Sequence, residues 1–145
     1  MLKTFVFSEH VKAECKRRYE LLTKPYVCIQ VRNTDYKSDY QTYYADNKDI
    51  IHSCPEIYLA TDDKDVITFY KTQGLQIKNF VTFPDTPNKP LHMSKVDANI
   101  KFTDMLCDLY LISMSETIMS NSRGTFIRLA RQCWNDKHNF CKQFE

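Results

Sequence analysis

Glycine is nearly absent from this chain: 145 residues hold only Gly74 and Gly124. So few glycines exclude a glycine-rich phosphate loop of the Walker or dinucleotide type, and each of the two is expected at a special backbone position. No apolar run approaches the length needed to cross a membrane. The opening Met1-Leu2-Lys3-Thr4-Phe5-Val6-Phe7 is too short and too soon interrupted for a signal peptide, so a cytoplasmic protein without a membrane partner is expected. The six cysteines, at 15, 28, 54, 107, 133 and 141, form no Cys-x-x-Cys pair and read as reduced thiols of a reducing compartment. Cys133, His138 and Cys141 offer a metal three groups at most, and the four histidines show no ligand spacing, so no metal is expected. No nucleophile elbow is present. Basic residues are scattered, with one tight cluster at Lys16-Arg17-Arg18 and a net charge of +2, which argues against a nucleic-acid partner.

What remains is an ordinary globular composition, 43% hydrophobic and 26% charged, in a length that fits one domain with one core. Residues 8 to 23 read as a helix capped by Ser8, with Val11, Cys15, Tyr19 and Leu22 on one stripe. Pro25 separates it from the apolar run Tyr26 to Val31, a buried strand. The tyrosine-rich stretch 36 to 51 signals a helix within 38 to 52. Glu56-Ile57-Tyr58-Leu59-Ala60-Thr61 forms a second strand. Asp62 or Asp63 caps a helix from Lys64 to Thr72 that ends at a left-handed Gly74. A third strand spans Ile77 to Val81. A proline-marked loop follows, from Pro84 to Lys95, and loops of that length in small domains are often functional. Residues 98 to 113 form the strongest helix, with Phe102, Met105, Leu106, Leu109 and Ile112 on its apolar side. Glu116 to Met119 is a short strand, Phe126 to Trp134 a last helix, and 135 to 145 a tail without a clear pattern. Strands and helices in alternation define an α/β fold: a Rossmann-like parallel sheet with right-handed crossovers and helices on both faces.

Ligands of such sheets sit at the carboxyl ends of the strands, which directs attention to Arg32. Its guanidinium could grip a phosphate with two parallel hydrogen bonds, or pair with Asp35 or a later aspartate. Ser120-Asn121-Ser122-Arg123-Gly124-Thr125 joins a strand to a helix and could present backbone N–H groups, the Ser122 and Thr125 hydroxyls and the Arg123 charge to an anion. It could equally be a plain cap by Ser122. Asp108 stands in the apolar stretch Met105 to Ile112, one turn after Asp104. A carboxylate there is costly unless paired, and it could accept the N1–H and N2–H of guanine or brace a loop. Asp62 and Asp63 read as capping residues or as ligand contacts. Tyr36, Tyr40, Tyr43 and Tyr44 could stack on a base or fill the core.

In order and spacing these segments resemble the nucleotide-sugar-binding half of the α1,2/α1,6/protein-O-fucosyltransferase superfamily, over about residues 3 to 134. Gln30-Val31-Arg32-Asn33-Thr34-Asp35 is similar to that family's His-x-Arg-Arg-x-Asp motif, and Tyr58-Leu59-Ala60-Thr61-Asp62-Asp63 to its second strand. Asp108-Leu109-Tyr110-Leu111-Ile112-Ser113 through Ile118-Met119-Ser120-Asn121-Ser122, then Phe126 and Ala130, resembles its third motif. The resemblance implies the carboxyl-terminal half of a GT-B glycosyltransferase that binds GDP-fucose. Transfer to a glycan acceptor would be inverting and metal-independent, with no cofactor beyond the donor. Arg32 would hold the β-phosphate, Asp108 the guanosine end, and Gly124 and Thr125 the phosphates, while Gln30 stands for the family histidine. Asn33 replaces the second arginine, and Arg123 could restore that charge. Asp35, Asp39 and Asp62 are candidate bases for the acceptor hydroxyl. The acceptor half of a GT-B enzyme has no counterpart here, so the chain is expected to be a minimal enzyme, a fragment, one half of a complex in which a homodimer or partner chain supplies the acceptor site, or a sugar-nucleotide binder without transfer activity. The alternative is a non-catalytic nucleotide-sugar or glycan binding module. A third reading is a scaffold whose aspartates and arginines merely pair.

Overall fold

The computed structural model describes residues 7–33, 37–81, 83 and 98–145. Asp35, Tyr36 and the loop expected from Pro84 to Lys95 lie outside the described residues. Four parallel strands, β1 (Val27–Val31), β2 (Ile57–Thr61), β3 (Ile77–Lys78) and β4 (Thr117–Met119), form one sheet in the order β3-β2-β1-β4. The chain steps outward from β1 to β3 and then returns to the other side of β1. This reversal is the mark of a Rossmann-like α/β sheet. Around the sheet lie α1 (Glu9–Glu20), α2 (Tyr40–Asp46), α3 (Lys48–Ser53), α4 (Lys64–Thr72), α5 (Ala98–Met114), α6 (Thr125–Asn135) and α7 (Lys137–Lys142).

Alternation along the strands splits the core in two. Val27, Ile29, Val31, Ile57, Leu59 and Met119 pack with residues of α2, α3 and α4 on one face. Cys28, Tyr58 and Ala60 pack with α1, α5, α6 and α7 on the other. Both central strands are buried along their whole length, as a sheet covered on two sides requires.

The local signals acted largely as expected. Ser8 Oγ accepts from Val11 N and caps α1, and Asp63 accepts from Asp65 N at 2.9 Å and caps α4. Gly74, at φ +83°, is the left-handed residue after α4. Several expectations need correction. The helix foreseen within 38 to 52 is two short helices that meet at Asn47, whose side chain donates to Tyr43 O. The third strand is two residues long, because beyond Lys78 the Asn79 amide bonds Leu59 O and takes over the edge. Gly124 caps α6 at φ −74°, an ordinary extended conformation, and Ser122 does not cap it. Leu106, Leu109 and Ile112 of α5 are buried as expected, but Phe102 and Met105 are 56% and 42% exposed, so the buried side is turned from the stripe read from spacing. Asp104, Cys107, Tyr110, Leu111 and Ser113 are buried as well.

The tail holds the largest surprise. Residues 137 to 142 form α7, and Phe140 and Phe144 are fully buried, with Phe144 stacked on Phe7 at 4.7 Å and against Tyr110 at 4.5 Å. Phe140→Ala is expected to cost about 3–5 kcal/mol in denaturant unfolding, the range for emptying a buried aromatic site. A loss under 1 kcal/mol would mean the tail is not part of the core.

Candidate functional site

The sheet face that carries Cys28 and Tyr58 changes character toward the strand ends. Deep in the sheet both side chains are fully buried. One step on, β1 presents Gln30 and β2 presents Ala60, which are register partners. A further step brings Arg32 and Asp62. With a small residue and polar ones at these steps, no large apolar group fills the space under α5. An open cleft of about 570 Å³ results. Its floor is Gln30, Ala60 and Asp108, its rim includes Arg32, Asp62 and Lys101, and Phe102, Met105 and Phe126 form apolar walls. It lies at the carboxyl ends of the central strands, where open α/β sheets bind ligands.

The acidic side of the cleft is built by α5. Asp104 and Asp108 stand one turn apart and both line it. Asp104 is buried, and Arg18 Nη2 of α1 donates to its Oδ1 at 2.7 Å. Arg18 Nε also donates to Glu14 Oε2 at 2.7 Å. Glu14 is held down to about 2 by its hydrogen bond to Arg17, against partial burial and with further help from Arg18. Asp108 accepts a hydrogen bond from the Tyr58 hydroxyl, which is buried in the sheet beneath it. Burial pushes the Asp108 carboxyl up to about 7, over the lowering effects of Tyr58 and Arg18 and with a smaller push from Asp104. The site therefore contains a carboxyl that changes charge near neutrality.

The loops at the strand ends are tied together by Asn33. Its backbone N–H donates to Asp62 Oδ1 at 2.8 Å and its Nδ2 to Asp63 Oδ2 at 2.9 Å, while its Oδ1 accepts from Ser38 N at 2.9 Å. Asp63 also accepts from Asp65 N and is buried, so its carboxylate is occupied in bracing and capping, and it does not line the cleft. On the other side of β1, Ser120 Oγ donates to Gln30 Oε1 at 2.7 Å and accepts from Ser122 N at 3.0 Å. This pair joins the end of β1 to the turn that opens α6.

That turn borders a second depression, of about 450 Å³, formed by Lys37, Ser38 and 121–124. Ser122, Arg123 and Gly124 line it, and Thr125, the exposed first residue of α6, lines neither cavity. Among the described residues the buried hydroxyls of Ser38 and Ser122 there have no hydrogen-bond partner. Arg32 and the 122–124 turn therefore border two different depressions, linked through Gln30 and Ser120, instead of one shared crevice. Asp39 is spent on capping α2 through Thr42. Tyr40 and Tyr44 pack edge-on against Phe69, and Tyr44 against Tyr70 as well, in the core role.

The roles of Arg18, Tyr58 and Asn33 in the site were not read from the sequence, and Phe102 and Met105, set on the apolar side of the helix, line the cleft instead. The Asn33–Asp63 contact carried a signal, since extending the register Val31↔Thr61 by two residues sets 33 beside 63. The Tyr58–Asp108 contact carried none, because it depends on how α5 lies across the sheet. Among the described residues no three potential metal ligands converge, Cys133, His138 and Cys141 included, and no helix is long and apolar enough to cross a membrane.

The fold and the site define an α/β protein of Rossmann-like design with an open, two-signed cleft at its strand ends. Compared with protein-family models and with curated proteins, the chain finds no match in either.

The raised carboxyl has a thermodynamic consequence. The folded state holds a proton on Asp108 that the unfolded chain releases near the ordinary aspartate value of about 4. Between roughly pH 4 and pH 7 the native state binds more protons, so this group's contribution falls as pH rises through that window and stays low above it. The groups that face Asp108 are Tyr58 on β2, Cys28 on β1, Arg18 on α1 and Asp104 on α5. Asp108→Asn is expected to gain about 1–3 kcal/mol over the parent at pH 8 relative to pH 5, read from urea unfolding at both values. Equal pH slopes for the two proteins would refute the proton held on Asp108.

Proposed function

We propose that this chain is the donor-binding unit of a glycosyltransferase that uses a GDP-sugar, with GDP-fucose the first candidate. The observation that carries the reading is the pairing in one cleft of a cation, Arg32, with an acidic group, Asp108, between apolar walls. A nucleoside diphosphate has this polarity: a base with an N–H edge at one end, anionic phosphates at the other, and flat apolar surface between. In this reading Phe102, Met105 and Phe126 hold the faces of the base, and Asp108 accepts from its N–H edge. Arg32 grips the diphosphate in the fork geometry suited to phosphate. As the acceptor hydroxyl attacks the anomeric carbon from the opposite side, the sugar–oxygen bond to GDP breaks and charge builds on the leaving diphosphate. Arg32 stabilises that charge in the place a metal occupies in other transferases. The hydroxyl proton passes to a base; Asp62, on the cleft rim, is better placed than the capping Asp39.

The second depression supports a neighbouring anion contact. Two buried hydroxyls without partners among the described residues, the side-chain-uncapped start of α6 and the cations Lys37 and Arg123 all border it. One observation favours the non-catalytic reading. Asn33 holds its amide inside the loop and brings no charge to the diphosphate, so the cleft could hold a nucleotide-sugar without driving its departure. The glycan acceptor, and a second copy or partner chain that would present it, belong to the catalytic reading.

A melting-temperature panel with GDP, GDP-fucose, UDP and CMP tests the donor site, since a ligand of the folded state raises the midpoint by mass action. GDP and GDP-fucose should stabilise the protein, UDP and CMP should not, and Arg32→Ala should weaken GDP binding about 10- to 100-fold. No shift with either guanine nucleotide at millimolar concentration would overturn the proposal. Release of fucose from GDP-fucose, or its transfer to a glycan, separates the enzyme from the binding module.

A further inference from the structure

Helices α1 and α5 meet along a buried seam that contains two thiols in contact. Cys15 Sγ and Cys107 Sγ lie 3.1 Å apart, and both residues are fully buried. One turn further along each helix, in opposite chain directions, Arg18 meets Asp104, so the seam pairs the same two helices at successive steps. Asp104 and Asp108 flank Cys107 on the helix that walls the cleft. We propose that Cys15 and Cys107 form a reversible disulfide that locks α1 to α5.

The sulfurs need to approach by about 1 Å to reach bonding distance. With a small-molecule disulfide as oxidant, the two thiols lose two protons and two electrons. One protein S–S bond forms, and one molecule of oxidised glutathione becomes two of the thiol. Attack requires a thiolate, and here the hydrogen bond between the sulfurs and their burial both hold the Cys15 thiol protonated well above its ordinary value. Closure therefore proceeds through local opening of α1 and is slow in the native protein. Once formed, the bond spans a loop of roughly 90 residues, long enough to restrict the unfolded chain strongly. Cys28 and Cys133 are also buried, but neither has a sulfur partner like this one. Cys54 and Cys141 are partly exposed, and Cys141 contacts the thioether of Met114.

The full chain is refolded from urea in a glutathione buffer poised oxidising, its remaining thiols are alkylated, and the digest is mapped by mass spectrometry. A peptide linking Cys15 to Cys107 is expected, together with a melting temperature about 5–15 °C above that of the reduced protein, reversed by dithiothreitol. Cys54→Ser/Cys141→Ser should keep that rise, and Cys15→Ser should lose it. Should the Cys15 variant fail to fold, the map and the reversible shift of the parent chain still decide. The lock is overturned if Cys15 and Cys107 are alkylated while Cys54 and Cys141 carry glutathione, or if the link forms without raising the melting temperature.

Discussion

The ladder of β1 is the constraint on which this fold depends. It is hydrogen-bonded to β2 on one side and to β4 on the other, and both its faces are buried. A parallel strand so placed fixes three things at once. Its register aligns the ends of β2 and β4, its alternation divides the core between two helical layers, and its direction decides which rim gathers the loops. The cleft follows from the same strand. Gln30 and Arg32 emerge on the α5 side because Cys28 does, and Asn33 completes the turn by bracing Asp62 and Asp63. A one-residue slip would exchange the two faces and turn Gln30 and Arg32 away from α5.

Electrostatics in the second layer rest on an unequal partnership. Arg18 is nearly buried and bonds both Glu14 and Asp104, while Asp108 lies close enough to feel it. One guanidinium thus faces three carboxyls. Glu14 and Asp104 take its hydrogen bonds, and Asp108 is left to the Tyr58 hydroxyl. Burial raises the Asp108 carboxyl by more than that hydrogen bond and the neighbouring guanidinium lower it, which leaves it ready to exchange its proton near neutrality. The cleft is thus lined by a titrating carboxyl and by the Arg32 cation.

How much of this was legible depends on where the information lay. β1, β2 and α4 were readable because their signals are local: continuous apolar runs, an aspartate at the cap and a glycine after the last turn. The helix at 98 to 114 was readable as an element but only partly as an oriented one, with Leu106, Leu109 and Ile112 buried and Phe102 and Met105 exposed. Its spacing offers several apolar stripes, and the packing of α1 and α6 selects the one that contains Asp104 and Cys107. α7 was not readable because two phenylalanines in a polar stretch make no period, and their burial depends on Phe7 and Tyr110, far away in sequence. Of the candidate site residues, Arg32 and Asp108, singled out by position, and Gln30 and Asp62, named through the family resemblance, all line the cleft. The turn at Ser122, Arg123 and Gly124 was expected to converge with Arg32, yet it borders the neighbouring depression, joined to the cleft through the Gln30–Ser120 contact.

The stacking of Phe7 on Phe144 brings the first and last described stretches of the chain together, and Lys12 Nζ reaches the main-chain oxygen of Glu145 at 3.3 Å. Loosening of either stretch therefore uncovers an aromatic ring that the other had kept from water.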